Sequence, residues 1–149
     1  RRIAAEKAMA ITPQAPGRLV LGADTAVVRD SQIFGKPADH DDFIDMFSQL
    51  SGQSHQVISA VCLMRGQDGS IMVSVSDVEF REIGEQEMQD YWASGEPRDK
   101  AGGYGIQGLG AMFIKKISGS YSGIMGLPLF ETSELLREAG VPLLSGKSA

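Results

Sequence analysis

The chain is poor in the residues that most often staple or anchor a protein. Its 149 residues include one cysteine, Cys62, so no internal disulfide forms and a reducing cytoplasm is the expected setting. Cys62 lies in an apolar run and reads as core rather than as a nucleophile. The two histidines, His40 and His55, have no His, Cys or Glu partner at metal-ligand spacing. A zinc site is not expected, and both read as surface or capping residues. No apolar run approaches the ~18 residues of a membrane span, and no basic–apolar–small signal segment opens the chain. A basic excess is missing too: 14 Lys and Arg stand against 19 Asp and Glu, a net charge of −5. Nucleic acid is therefore not an expected partner, although a few converging lysines can still hold phosphates. The length suits one domain over residues 1–149. The first residue is not Met, and the chain opens already in a helical pattern, as a chain would that had lost its beginning.

What is present centres on Arg18–Val28, an apolar run broken by Asp24-Thr25. Flanked by Pro16-Gly17 and Arg29-Asp30-Ser31, it reads as a buried strand. A carboxylate there is either satisfied structurally or held for chemistry, because an unpaired one is costly. Residues 1–11 place Ile3, Ala4, Lys7, Ala8 and Ile11 at helical spacing. Lys7 falls on the apolar stripe, either snorkelling at its edge or directing an ammonium at an anion. Residues 12–17 end that helix.

After Arg29–Gln32 turns the chain, Ile33-Phe34 is a strand edge, and Gly35 and Pro37 hold Lys36 in a tight turn. A lysine there suits a phosphate-directed point charge. Asp39 reads as the N-cap of a helix with Phe43, Met46, Phe47 and Leu50 on one face, and Gly52 as its C′ residue. Gln56–Met64 reads as a central strand, Gly66–Gly69 as a turn and Ser70–Phe80 as a second strand with Glu79 facing outward. Residues 84–94 read as a helix packing Met88, Tyr91 and Trp92. Residues 95–110 form a long glycine-rich loop whose Tyr104, Ile106 and Leu109 argue against a mere linker. Ala111–Ile117 reads as a strand, 118–123 as a glycine/serine loop, and Pro128 as the first turn of a last helix packing Leu129, Leu135 and Leu136. Residues 141–149 read as a tail. The fold class expected is α/β, a mixed twisted β-sheet flanked by helices.

Two apparent motifs do not qualify. Gly103–Gly108 matches G-x-G-x-x-G, but a dinucleotide fingerprint follows a strand and opens a helix, and here the order is reversed. Gly35-Lys36 lacks the P-loop's earlier glycine, at Asp30, and its Ser/Thr, at Pro37.

Taken in order, Leu21–Thr25, Gly35–Pro37, Leu50–Val57, Gly95–Pro97, Asp99–Gly108 and Gly126–Leu129 resemble the Maf family of nucleoside triphosphate pyrophosphatases. The resemblance covers residues 1–140, and within it Asp24-Thr25 and Tyr104–Gly108 look like the branch acting on dTTP and UTP rather than on 7-methyl-GTP. It implies a Maf/ITPase-like fold lacking its first strand and helix, with the Ser-x-Ser-Pro-Arg-Arg region upstream of Arg1. It also implies cleavage of the α–β phosphoanhydride, to nucleoside monophosphate and pyrophosphate, with a divalent metal such as Mg or Mn. By position, Asp24 is the implied proton acceptor, and beside a metal it serves as ligand, base or both; Thr25 and Gln107 bear on substrate choice, and Lys7 and Lys36 lie near the phosphates. A homodimer is expected by the same analogy. The chemistry is coherent: a carboxylate is far too weak a base for bulk water, whereas water on a metal loses its proton near neutrality. Rival expectations are a non-catalytic nucleotide-binding or regulatory module of the same fold, related to cell division, and a 7-methyl-GTP-type enzyme. A phosphomonoesterase is less favoured, for lack of a Cys, Ser-His or carboxylate-rich bimetal motif.

Overall fold

The computed structural model describes residues 18–144. The helix expected over residues 1–11, with Lys7, lies outside the described residues. Five strands run β1 (Leu19–Arg29), β2 (Gln32–Phe34), β3 (Ser54–Arg65), β4 (Asp68–Phe80) and β5 (Ile114–Ser118), in the sheet order β2-β1-β3-β4-β5. The described residues also form four α-helices, α1 (His40–Leu50), α2 (Glu85–Ala93), α3 (Tyr121–Met125) and α4 (Leu129–Glu138), and three 3₁₀ segments between α2 and β5. The α/β class is as expected. The mixed sheet is not seen among the described residues, where every ladder is antiparallel. Two tight hairpins account for half of this, since two-residue turns join β1 to β2 and β3 to β4 and can join only antiparallel strands. In the first of them Asp30 and Ser31 both have positive φ, +49° and +66°, the type I′ geometry whose twist suits a hairpin.

Strand alternation sorts the side chains onto two faces. Thr25, Val27, His55, Val57, Ser59, Val78 and Phe80 share one face, and the described helices pack there. At one end, α1 and α2 bring Phe43, Phe47, Met88 and Tyr91 onto Val27, Val57 and Phe80, with Phe113 closing the cluster. The rings of Phe43 and Phe47 are 4.5 Å apart, and those of Tyr91 and Phe113 are 5.1 Å apart. At the other end Leu135 of α4 covers Val61 and Leu63. The opposite face carries a smaller cluster of Val20, Ala60, Cys62 and Met64. Cys62 is fully buried, as a core residue should be.

Local signals explain the helices. The Asp39 side chain accepts from the Asp42 amide at 2.9 Å, and Gly52 (φ +68°) follows the C-cap, both as expected. Helix α2 starts where the Gly84 amide donates to Glu87, which also forms a fork with Arg81 at 2.8 and 3.0 Å. Glu79 faces outward, 3.6 Å from Lys115.

Four details differ from expectation. Residues 111–113 belong to a 3₁₀ segment, Leu109–Phe113, so the strand begins only at Ile114. The aromatic core claims Phe113, and its carbonyl accepts from the Arg81 amide beside a bulge at Glu79/Phe80. The glycine/serine loop contains α3, because Ser120 caps it by accepting from the Gly123 amide at 2.9 Å. Pro128 is the N-cap of α4, and Leu129 is exposed while Leu135 packs. His55 is neither surface nor cap: it is 2% exposed in mid-sheet.

Candidate functional site

A cavity of about 450 Å³ opens on the helical face of β1, within the range of small-ligand sites. Val27, Val57 and Ile124 make an apolar floor, Met125 and Gly126 one wall, and the segment Lys100–Gly108 the other. Thr25, Glu96, Lys100, Tyr104 and Gln107 supply its polar groups.

The glycine-rich segment is a chain of 3₁₀ turns held at three points, rather than a loose loop. The first hold is at Gly102, whose amide donates to the Gly35 carbonyl at 3.0 Å. Gly102 has φ +73°, and a Cβ there would stand 2.9 Å from Val27, so any other residue is strained at this approach. The second is the Glu96 carboxylate, which accepts from the Tyr91 hydroxyl and from the Leu109 and Gly110 amides, each amide at 2.9 Å. A Cβ at Gly108 would sit 2.1 Å from Glu96 Oε1. Burial pushes the Glu96 carboxyl up, but the Tyr91 bond and the two amides together hold it below the usual range. Tyr91 moves the other way, its phenol raised by burial and then by its bond to Glu96.

The third hold is buried. His55 Nε2 and the Tyr104 hydroxyl are 2.6 Å apart, and the His55 ring also meets Phe80 edge-on at 4.9 Å. Burial, helped by the Arg29 cation, lowers the His55 pKa to about 4, so the ring is neutral at ordinary pH. Burial also raises the Tyr104 phenol.

The positions inferred from sequence divide between two faces. Thr25 and Gln107 line the same cavity, with Lys100 beside them. Asp24 is half-buried in register with Ala60, and alternation puts it on the opposite face from Thr25. Lys36 is exposed outside the cavity lining, in the turn that docks on Gly102. Its charge adds to that of Lys100 in holding the Asp99 carboxyl down, Lys100 contributing most through a 3.2 Å bond. Sequence reasoning missed Glu96, Lys100, His55 and Ser59. Lys100 and Glu96 lay inside quoted motifs without a role, whereas a buried histidine in an alternating strand carries no signal of its partner.

Among the described residues no group of three or more His, Cys, Asp and Glu side chains is placed to hold a metal ion. The oxygen donor of Asp24 still suits a Mg-type ion, which is commonly held by one or two carboxylates together with substrate phosphates. No helix of the described residues is long and apolar enough to cross a membrane.

A family model described as "Maf-like protein" matches residues 1–139. The chain belongs to the Maf-like family. Among its relatives is a Methylococcus capsulatus protein named dTTP/UTP pyrophosphatase, 51% identical over 142 residues, 95% of this chain and 70% of the relative. Proteins of the same name from Hahella chejuensis and Symbiobacterium thermophilum are 48% and 44% identical, each over 97% of this chain and covering 73% and 75% of the relative. The stretch of this Maf-like chain matched by the family model includes its own cavity wall, Lys100–Gly108.

Proposed function

We propose that this Maf-like chain, as a single domain over residues 1–149, hydrolyses pyrimidine nucleoside triphosphates, dTTP and UTP, to the monophosphate and pyrophosphate. The supporting observation is the cavity that brings Thr25 and Gln107 together through a glycine-rich wall, in a chain whose relatives are named for that activity. The apolar floor takes the face of the base, and Gln107 offers both a donor and an acceptor to its edge. Lys100 and Lys36 are charges for the phosphates, with Lys7 a third by resemblance. Asp24, on the opposite face of β1, orients the attacking water and takes up its proton. Asp24 would also hold a divalent cation, Mg or Mn, which when bound supplies charge neutralisation and a more acidic water. A homodimer and a cytoplasmic, nucleotide-pool role complete the proposal.

Replacing Asp24 by Asn in the full-length protein tests it. Pyrophosphate release from dTTP is expected to fall at least ~100-fold, in keeping with loss of a group acting on the transferred proton. Substantial residual turnover removes Asp24 from the chemistry. The placement of Asp24 across the sheet from the cavity favours one second reading, a nucleotide-binding module without turnover. Calorimetric binding of dTTP with no pyrophosphate produced would select that reading, and a substrate panel led by 7-methyl-GTP would reject the pyrimidine preference.

A further inference from the structure

Thr25 and Ser59 face each other across the β1–β3 ladder, with both hydroxyls on the cavity face and their oxygens 2.9 Å apart. Ser59 is fully buried, and its own proton is committed to the Gly123 carbonyl at 2.5 Å. Ser59 therefore accepts from Thr25 rather than donating to it. Among the described residues the one other destination for the Thr25 proton is the Gly126 carbonyl, at 3.4 Å. In both arrangements that proton stays inside the protein, and Thr25 shows the cavity lone pairs only.

Gln107 behaves differently. It is exposed and makes no side-chain hydrogen bond among the described residues, so its amide can turn either the oxygen or the NH₂ toward a ligand. It therefore suits a carbonyl or an amino group at the base edge equally well. Thr25 cannot adapt in this way, because Ser59 fixes its polarity. Uracil and thymine present N3–H, a donor, where cytosine presents a bare N3 acceptor.

We propose that Ser59 is a specificity-positioning residue: by taking the Thr25 proton it makes Thr25 an obligate acceptor, which favours uracil and thymine over cytosine in the cavity. The inference rests on the reading that this cavity receives the pyrimidine base. Thr25 touches the base, while Ser59 acts only through Thr25. Cytosine meets lone pair against lone pair, or must draw the proton away from Ser59, the situation of a buried polar group left unmatched.

The test compares UTP with CTP in the full-length wild-type protein and in the variants Ser59→Ala, Thr25→Val and Thr25→Ser. Turnover is read as pyrophosphate release, and binding by calorimetry with α,β-imido analogues of both nucleotides. Wild type should favour UTP about tenfold, the discrimination of one mismatched hydrogen bond. In Ser59→Ala the ratio should collapse toward one, mainly through KM, because the 3.4 Å contact to the Gly126 carbonyl is by itself too long to keep the Thr25 proton from a ligand acceptor. Thr25→Val should lose the preference too, and Thr25→Ser, which keeps the hydroxyl on the ladder, should retain it. A Ser59→Ala protein that melts cooperatively near wild type yet keeps the UTP preference overturns the assignment, as does a Thr25→Val protein that keeps it. Selective binding of the UTP analogue without pyrophosphate release sustains the Ser59 role and refutes hydrolysis. Hydrolysis of UTP and CTP at equal efficiency in wild type refutes the Ser59 role alone. Binding of neither analogue overturns both.

Discussion

Acidification should destabilise this fold through one residue, His55. Its ring is 2% exposed, wedged between Phe80 and Tyr104, with the Arg29 cation further opposing a positive charge. The pKa is about 4 in the folded chain against 6.5 for a free imidazole. Between those values the unfolded chain binds a proton that the folded chain refuses, so stability rises with pH across the window. The contribution is complete above pH 6.5, falls as pH drops, and is lost below about 4. At pH 5 the linkage gives a loss of about 2 kcal/mol relative to pH 7.5, and below both pKa values about 3 kcal/mol. Urea denaturation of wild type and His55→Gln at pH 7.5, 6 and 5 measures it. Glutamine keeps a polar partner for Tyr104 but does not titrate, so the other ionisable groups cancel between the two proteins. Wild type should lose about 2 kcal/mol more than the variant over that range. Parallel pH profiles for the two proteins would refute the reasoning, because they would mean that the imidazole is protonated as readily folded as unfolded.

Other predictions follow from the same geometry. Gly102→Ala forces a Cβ onto Val27 at 2.9 Å in a left-handed conformation, and should cost about 2–3 kcal/mol in a denaturation midpoint and raise KM by displacing the cavity wall. Phe47→Ala empties a fully buried position among Phe43, Phe80, Tyr91 and Phe113 and should cost about 3–5 kcal/mol. Ser31→Gly should stabilise by about 1 kcal/mol, since Ser31 holds φ +66° in the first hairpin turn, and a lowered melting temperature would contradict the turn assignment.

Elements with their own local signal were legible without coordinates. Asp39 capping α1, the turns at 29–32 and 66–69 and the apolar rhythm of β3 each follow from neighbours in sequence. So did the refusal of the dinucleotide fingerprint at Gly103–Gly108: a 3₁₀ turn precedes it and another follows, with no strand-to-helix passage to hold a pyrophosphate. What misled was composition. Glycine and serine at 118–123 suggested a loop, yet Ser120 used its hydroxyl to start α3, and the continuous apolar run Ala111–Ile114 concealed a 3₁₀ turn.

Residue types at short spacings and a run of motifs were enough for the class, the order of the strands and longer helices, the burial of Cys62 and the membership in the Maf-like family. How the site is divided depends on contacts between residues distant in the chain. Asp24 and Thr25 are neighbours in the chain but face opposite sides of a sheet, since a strand reverses its side chains at every residue. Thr25 and Gln107, far apart in the chain, share one cavity because Glu96, His55 and Gly102 pin the intervening segment against β1 and β3. The polarity of the Thr25 hydroxyl is likewise a tertiary property, as it is set by a serine on the next strand and a carbonyl of α3.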